Sequence, residues 1–313
     1  MRPFTFLAAV QDVVDGPTLA ATARRIESMG YDGLVIPDHL IPQLSPGPAM
    51  SAIAAATTTL RVGTFVLNND LRHPAVVAQD LASIDVLSGG RLDIAIGAGW
   101  RKEEYDAIGL LFDATPVRQA RLIEAIAVLK GCFADGPFSF AGDHYTITDF
   151  DGQPKPVQRP HPPLLIGGGG RRTMELAGRE ADVVGLAPRT LAEQRVDPRS
   201  ITLAATAEKI AWARKAAGER ADDLVFNVYP SGAPITVTDD ARSAAREVID
   251  RLASRSGIEL TETEVLESPH LFLGSIDGLV EKLEMLRERL GITSFMLGDG
   301  DELAAVVERL AGT

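Results

Sequence analysis

The feature that most constrains the fold is the alternation of short apolar runs with longer amphipathic segments along the 313 residues. Short apolar runs that end in Gly, Pro or Asp are typical of the buried strands of a parallel sheet. The segments between them carry apolar residues at helical spacing, as Val77, Leu81 and Ile84 do. The alternation predicts about eight strand–helix units, with strands at Phe4–Val10, Leu34–Ile36, Arg61–Leu67, Leu92–Ile96, Leu164–Ile166, Val183–Leu186, Leu224–Val228 and Ser294–Leu297.

Two fold classes alternate strands and helices in this way: the closed (β/α)8 barrel, or TIM barrel, and the open doubly wound sheet. The even spacing of the units, and a first strand not followed by G-x-G-x-x-G, favour the barrel. We therefore predict one α/β domain, a TIM barrel over residues 1–313, with a short insertion after the fourth unit. That insertion, at about 136–160, is rich in Gly, Pro and Asp, and its alternating apolar residues predict a hairpin.

Composition and charge exclude several classes of function. A net charge of -12 and a pI near 4.9 argue against a nucleic-acid partner, which needs a basic surface. With Cys132 as the single cysteine, no internal disulfide can form, and a reducing compartment fits. No signal peptide or long apolar span is evident, so we expect a cytoplasmic protein with no membrane contact. There is no HExxH motif, Cys/His cluster or Walker loop, so we expect no metal site.

The segment Gly97-Ala98-Gly99-Trp100 directly follows the strand Leu92–Ile96. Glycine lacks a Cβ atom and allows close approach to the backbone, while the indole of Trp100 adds a broad apolar wall. A flat ring system suits such a place, so the segment predicts an aromatic cofactor. We expect the acidic pair that follows, Glu103 and Glu104, to be solvated rather than catalytic.

Polar residues end the second and third predicted strands. His39 follows Asp38 at a strand end, where a barrel places its active site, and a histidine beside a carboxylate suits proton transfer. The alternative is an N-cap aspartate with a histidine that bonds a nearby loop. In the third strand, Asn68-Asn69-Asp70 fits two interpretations equally well: donors to the polar edge of a ring, or an ordinary turn.

The fifth strand ends in Gly167-Gly168-Gly169-Gly170, and Arg171-Arg172 begin the next helix. Bare amide groups at a helix N-terminus, together with guanidinium groups, favour a phosphate-binding site. The alternative is a flexible loop followed by two solvated arginines.

Several motifs occurring in one order resemble the luciferase-like monooxygenase superfamily, and within it the actinobacterial branch that uses the deazaflavin coenzyme F420. The resemblance runs from near the start to about Leu186 and more loosely beyond it. The motifs are Pro37-Asp38-His39, Thr64-Phe65-Val66-Leu67, His73-Pro74 with Gln79-Asp80, Ser88-Gly89-Gly90-Arg91-Leu92, Gly97-Ala98-Gly99-Trp100 and Pro163-Leu164-Leu165-Ile166-Gly167-Gly168-Gly169.

The resemblance implies a cofactor in a cleft at the carboxyl ends of the barrel strands. It also implies a bulge and a non-prolyl cis peptide in the third strand, by position at Phe65-Val66. His39 matches the active-site histidine of the family. The cofactor-binding residues implied by motif or position are Asp38, Phe65, Val66, Asn68, Gly97, Gly99, Trp100, Gly167, Gly168, Gly169, Gly170 and Arg171.

The resemblance implies an oxidoreductase that transfers a hydride between F420 and a small organic substrate, and we predict that His39 moves the accompanying proton. An FMN-dependent two-component monooxygenase of the same fold is the first alternative, and a cofactor-free binding protein is the second. Because apolar helices outside such barrels commonly pair, we expect a homodimer.

The chain departs from the sugar-phosphate dehydrogenases of the F420 branch at several positions. Gln43 or Leu44 stands where they carry a tryptophan, and Lys102 aligns nearest to their acid after the fourth strand. The stretch from Pro230 to Pro269 does not match their phosphate-binding segment. A sugar phosphate is therefore not the expected substrate.

Overall fold

A computed structural model describes residues 2–190, 196–298 and 303–313 of the chain. In its first part, strands and helices alternate as the sequence predicts, apart from a break in the third strand and a hairpin before β8. The elements are β1 (Thr5–Ala9), α1 (Gly16–Ser28), β2 (Gly33–Ile36), α2 (Pro46–Ala56), β3 (Arg61–Thr64), β4 (Leu67–Asn68), α3 (Pro74–Ser88), β5 (Leu92–Gly97), α4 (Lys102–Ile108), α5 (Thr115–Phe133), β6 (Phe138–Ala141), β7 (Thr146–Phe150) and β8 (Leu164–Gly168).

The alternation continues after residue 170. The stretch Gly257 to Pro269 shows no clear period in the sequence, yet it contains a short helix closed by a capping box between Thr261 and Glu264. The elements are α6 (Arg171–Glu180), β9 (Val183–Leu186), α7 (Leu203–Ala217), β10 (Val225–Val228), β11 (Thr236–Val237), α8 (Ala241–Ser256), α9 (Glu262–Leu266), β12 (Leu273–Gly274), α10 (Ile276–Leu290), β13 (Ile292–Met296) and α11 (Ala304–Leu310).

The parallel strands are hydrogen-bonded in the order β3-β2-β1-β13-β10-β9-β8-β5-β4, and β3 pairs with β5 as well. The order therefore returns to its start, with β3 and β4 as two parts of one interrupted strand. An open doubly wound sheet would leave two edge strands unpaired, so the predicted (β/α)8 barrel is confirmed.

Two compact units make up the described chain. The first unit comprises residues 9–27 and 33–166, and the fully buried side chains of its interior include Leu34, Ile53 and Val62. The second unit comprises residues 1–8, 28–32 and 167–313. In the second unit the rings of Phe4, Phe6 and Phe295 contact one another, with centroids 6.0 to 6.2 Å apart.

The segment at 136–160 carries the antiparallel hairpin of β6 and β7. The carboxylate of Glu124 on α5 accepts hydrogen bonds from three backbone amides of the turn between these strands, those of residues 143–145. At the end of the segment, Gln158 donates its backbone and side-chain N–H groups to the buried carboxylate of Asp85, at 2.9 and 2.7 Å. These bonds attach the hairpin segment to α5 and α3 within the first unit.

Lys282 of α10 makes the free energy of unfolding of the second unit depend on pH. Its ammonium donates to the carbonyl of Leu271 and lies 5.7 Å from the centre of the Phe272 ring. Burial lowers the pKa of Lys282 to about 7, against the opposing effect of the Glu267 carboxylate. An unfolded lysine keeps its proton to about pH 10.4. Between these values the unfolded state binds more protons, so the free energy of unfolding rises with pH.

We expect this rise to be steeper in the wild type than in Lys282→Met, by up to ~1.4 kcal/mol per pH unit between about pH 7.5 and 9.5. Methionine fills the space of the lysine stem without a titrating group. Urea unfolding at both pH values measures the difference. The exposed Lys215→Met is the control and should follow the wild type. Parallel pH dependence in Lys282→Met and the wild type would contradict the role of Lys282.

Candidate active site

The third barrel strand is interrupted at its carboxyl end. The peptide bond between Phe65 and Val66 is cis, as the family resemblance implies. Gly63 pairs with Asp93 and Leu67 pairs with Ile96, so β3 and β4 contain one residue more than β5 over this distance. This offset is a β-bulge, and the predicted continuous strand Arg61–Leu67 is therefore corrected to two short strands.

Thr64 replaces part of the backbone ladder at this bulge. Its hydroxyl donates to the carbonyl of Ala95 at 2.8 Å and accepts from the amide of the same residue at 3.2 Å. Phe65 and Val66, which follow, are half-buried at the strand end. The bulge thus leaves both backbone groups of Ala95 hydrogen-bonded.

His39 and Glu104 form a hydrogen-bonded pair. The Nδ1 atom of His39 lies 2.9 Å from Oε1 of Glu104, and the two side chains are 24% and 4% exposed. An ionised carboxylate only accepts hydrogen bonds, so Nδ1 carries the proton. No hydrogen bond to Nε2 of His39 occurs among the described residues. The pair therefore holds the imidazole in one tautomer and leaves Nε2 open for proton transfer.

The expectation that Glu103 and Glu104 are both solvated is wrong for Glu104. Only Glu103 is exposed, because α4 begins at Lys102 and turns Glu104 and Tyr105 inward together. A buried acid that contacts His39 is thus present two residues after Lys102. Gln43, at a position where the sugar-phosphate dehydrogenases carry a tryptophan, donates to the backbone carbonyl of Pro37 at 2.7 Å. The chain therefore still differs from those enzymes at this position.

Asp38 is bound entirely by the protein itself. Its side chain is 2% exposed and receives two hydrogen bonds from the guanidinium of Arg72, at 2.7 and 3.1 Å. The same carboxylate accepts the backbone N–H of Asn68 at 3.0 Å. Asp38 therefore links the end of β2, next to His39, to the backbone of Asn68 at the end of the neighbouring strand.

The amide of Asn68 has a defined orientation. Its Oδ1 accepts from the hydroxyl of Tyr105 at 3.0 Å and from the backbone N–H of Asp70 at 3.1 Å. Both partners are donors at these bonds, so the oxygen and nitrogen of the amide are distinguished by the network. The Nδ2 group makes no hydrogen bond within the described ranges and is available to a ligand.

The glycines of the Gly97–Trp100 segment serve the packing of the protein. A Cβ at Gly97 would lie 3.0 Å from Cγ2 of Val66, and one at Gly99 would lie 1.9 Å from the hydroxyl of Tyr105. Gly99 also has φ of +74°, in the left-handed region that favours glycine. The packing of Tyr105, Asn68 and Val66 therefore requires these glycines, and their place beside a flat ring stays a prediction.

Tyr105 is fully buried beneath this segment. Its ring contacts Phe112 edge to face, with centroids 4.9 Å apart, and its hydroxyl lies 3.1 Å from Oδ2 of Asp70. Burial, and then the charge of Asp70, raise the pKa of Tyr105 well above its ordinary value. The hydroxyl is therefore a permanent hydrogen-bond donor that fixes Asn68 and the turn at Gly99.

Arginines of α5 support the same region. Arg121 forms ion pairs with Asp70, at 2.9 Å, and with Asp113. Arg118 donates to the carbonyl of Ala98 at 3.3 Å. Sequence reasoning missed this network and Arg72, since each residue alone resembles a solvated charge. The one available signal was the helical spacing of Arg118 and Arg121.

Trp100 is the exposed apolar side chain of the site. Its side chain leaves 53% of its surface exposed, and its ring meets the His39 ring edge to face with centroids 5.7 Å apart. An exposed indole beside an imidazole with a free nitrogen is suited to an aromatic ligand that exchanges a proton with His39.

The glycine-rich segment belongs to the second unit. A Cβ at Gly169 would lie 2.1 Å from the carbonyl oxygen of Pro188, whereas one at Gly170 would meet no atom within 4 Å. Gly170 is the N-cap of α6, and no side chain caps that helix. The side chain of Arg171 is 63% exposed and pairs with Glu175 at 2.8 Å. The helix N-terminus thus presents uncapped amides beside an exposed guanidinium.

Neither a metal-binding cluster nor a membrane-spanning helix occurs in the described ranges. No group of three or more His, Cys, Asp or Glu side chains is placed to hold a metal ion there. None of the described helices combines the length and apolar character required to cross a membrane.

Comparisons with known proteins agree with this architecture. The solved structure of coenzyme F420 dependent tetrahydromethanopterin reductase from Methanopyrus kandleri matches with a TM-score of 0.74 at 18% identity, covering 97% of each chain. FMNH2-dependent dimethylsulfone monooxygenase from Pseudomonas putida is 40% identical over 131 residues, 42% of this chain and 36% of the relative. F420-dependent glucose-6-phosphate dehydrogenase from Kineococcus radiotolerans is 35% identical over 175 residues, 52% of this chain and 50% of the relative.

The chain thus matches between about a third and a half of the length of these two curated relatives. The family model for luciferase-like monooxygenases matches residues 10–270, which is most of the chain. The chain therefore belongs to the luciferase-like monooxygenase family.

Proposed function

We propose that this protein transfers a hydride between the deazaflavin coenzyme F420 and a carbon atom of a small organic substrate. The observation that carries the proposal is the His39–Glu104 pair, with Nε2 of His39 open beside the exposed ring of Trp100. Relatives named F420-dependent dehydrogenases support the choice of cofactor. When bound, F420 supplies or accepts the hydride at C5 of its ring.

The residues of the first unit fit the ring of such a cofactor. The indole of Trp100 offers an apolar face, and the half-buried Phe65 and Val66 at the bulge offer a second apolar surface. The free Nδ2 of Asn68 is a donor suited to a carbonyl oxygen on the polar edge of the ring. Asp38, Gly97 and Gly99 act on the ring through the backbone and side chains that they hold in place.

In the second unit, considered by itself, we propose that residues 167–171 bind a phosphate group of the cofactor. The amides of the first turn of α6 are free of side-chain caps, and Gly170 lacks a side chain that would cover them. An anion at this place is stabilised by the helix dipole and by the guanidinium of Arg171. Gly167, Gly168 and Gly169 form the strand end and the turn that lead to this helix.

His39 moves the proton that accompanies the hydride. In its neutral form Nε2 accepts a proton from a substrate hydroxyl, and in its protonated form it returns one. Glu104 stabilises the imidazolium and keeps the proton of the neutral ring on Nδ1. The burial of Glu104 makes this interaction stronger than it would be in water.

The FMN-dependent monooxygenase remains a second candidate, because the relative with 40% identity carries that name. The same proposed residues would hold the ring of FMN, so the choice rests on which cofactor the protein binds. In a cofactor-free binding protein, the ring-binding place beside Trp100 would take neither cofactor.

We also propose a homodimer in the cytoplasm. Val76 and Leu87, exposed on α3, offer apolar surface for pairing, and light scattering measures the mass.

Replacing Glu104 with glutamine tests the role of the pair. We expect kcat to fall by ~10²-fold, because a neutral amide stabilises the imidazolium poorly and its NH2 group selects the wrong tautomer. Glu103→Gln, one residue away and exposed, is the matched control and should leave kcat unchanged. A substrate comes from screening small alcohols, aldehydes and enones for a change in F420 absorbance. Equal kcat in Glu104→Gln and Glu103→Gln would show that the His39–Glu104 pair has no role in proton transfer.

Replacing Arg171 with alanine tests the phosphate site. We expect the Kd of the cofactor to rise by ~3–10-fold, with a smaller change in kcat, because an exposed guanidinium contributes modestly to binding. Fluorescence titration measures Kd. Arg179→Ala, at the other end of the same helix, should bind as the wild type does. Unaltered binding in Arg171→Ala would show that this arginine does not contact the phosphate.

A further inference from the structure

Arg101 lies beside the His39–Glu104 pair with its hydrogen-bonding capacity unused. Its Nη1 is 3.5 Å from Oε1 of Glu104, the same oxygen that His39 contacts at 2.9 Å. A charge-assisted hydrogen bond between a guanidinium and a carboxylate is shorter, near 2.7–2.9 Å. No hydrogen bond to the Arg101 side chain is present within the described ranges, and the side chain is 37% exposed. Apart from the long ion pair with Glu104, the N–H donors of this guanidinium are therefore available to a ligand next to His39.

Neighbouring arginines of the first unit are engaged by the protein. Arg72 makes two hydrogen bonds to Asp38, and Arg121 pairs with Asp70 and Asp113. Arg118 donates to backbone carbonyls. Each of these three side chains therefore has a structural role that accounts for its presence, and Arg101 has only a long contact to a carboxylate that His39 already binds.

The local charge favours an anion at this place. Asp38 is neutralised by Arg72, and Glu104 lies between His39 and Arg101. When His39 is protonated, two cations face one carboxylate, leaving one positive charge uncompensated. The whole chain carries a net charge of -12, so its long-range field does not attract anions. An acidic substrate would need a local cation of this kind.

We propose that Arg101 recognises an oxyanion, a carboxylate or a phosphate group, on the substrate. This inference rests on the proposed function, since it names the class of substrate that reaches His39. Arg101 then determines specificity: it holds the acidic group in a bidentate contact while the reacting carbon lies near Nε2 of His39.

Binding of three aromatic probes tests this proposal without relying on turnover. Benzoate, phenyl phosphate and the neutral benzamide share one ring and differ in the group that would meet Arg101. Saturation-transfer NMR on the purified protein, with and without F420, gives the Kd of each. We expect at least one of the two anions to bind ~10-fold or more tightly than benzamide. The tighter anion distinguishes a carboxylic acid from a phosphate ester.

Arg101→Gln should abolish the preference and leave the affinity for benzamide unchanged. Arg101→Lys should keep part of the preference, because it keeps the charge but not the planar fork. The control Lys102→Gln, at an exposed lysine paired with Asp106, should bind all three probes as the wild type does. Equal affinity for anions and benzamide in the wild type, or a preference that survives in Arg101→Gln, would overturn the proposal. Failure of hydride transfer with F420 would refute the proposed function and leave these affinities unaffected.

Discussion

His39→Ala is expected to lower kcat by ~10²–10⁴-fold while changing the Kd of the cofactor by less than ~3-fold. The variant removes the group with an open Nε2 at the site, and no other described histidine contacts Glu104. Cofactor binding is preserved because the proposed ring contacts come from Trp100, Asn68 and the bulge. Stopped-flow absorbance of F420 measures the hydride step, and fluorescence titration measures binding.

His73→Ala is the matched control for this experiment. His73 is exposed and caps α3 through its own Nδ1, so its loss affects one helix end and not the proton transfer. We expect kcat within ~2-fold of the wild type and a small loss of stability, near 1 kcal/mol. Unchanged kcat in His39→Ala would remove the histidine from the mechanism.

Gly99→Ala is expected to cost ~3–5 kcal/mol of folding free energy, the largest stability effect that we predict. Part of this is the left-handed backbone, about 1–2 kcal/mol for alanine. The remainder arises because a Cβ there would lie 1.9 Å from the Tyr105 hydroxyl and 2.5 Å from Oδ1 of Asn68. Both partners are buried and bonded to each other, so neither can move without breaking the bond at 3.0 Å.

Gly109→Ala separates the two contributions. Gly109 has φ of +72°, close to the +74° of Gly99, but a Cβ there would meet no atom within 4 Å. The control should therefore lose only the backbone part, about 1–2 kcal/mol. Urea unfolding of both variants gives the difference. Equal losses in Gly99→Ala and Gly109→Ala would mean that the Tyr105–Asn68 contact yields easily, contrary to the packing described here.

The barrel could be predicted from the sequence because each strand is short, apolar and followed by a helix with a clear period. The break at Phe65–Val66 could not be derived from periodicity, since the apolar run Arg61–Leu67 continues through it. The family resemblance supplied that feature, and the register and the side chain of Thr64 show how the ladder tolerates it.

The site was harder to predict because its polar residues interact over long distances in the sequence. Glu103 and Glu104 cannot be told apart from the sequence. In the structure, α4 buries Glu104 against His39, which is 65 positions away in the chain. Gly99 suggested a place for a ligand, whereas its missing Cβ accommodates Tyr105 and Asn68. Local sequence indicates that a glycine is needed and does not reveal which neighbour requires it.

The motif Ser88-Gly89-Gly90-Arg91 likewise does not reveal from sequence alone whether its residues serve folding or the site. Gly89 ends α3 in the left-handed conformation, as a glycine after a helix predicts. Arg91 donates to Thr57 and to the carbonyls of Ala54 and Leu60, and so fastens the end of α2 to this turn. The motif therefore contributes to the family resemblance through folding and does not contact the proposed site.

Fluorescence titration of the purified protein with F420 and, separately, with FMN shows which cofactor occupies the place beside Trp100. We predict saturable quenching of F420 at one site per chain, with a Kd at least ~10-fold below that of FMN, and weaker F420 binding when Trp100 is replaced by alanine. Tight binding of FMN with no binding of F420 would contradict it, as would F420 binding that is indifferent to Trp100.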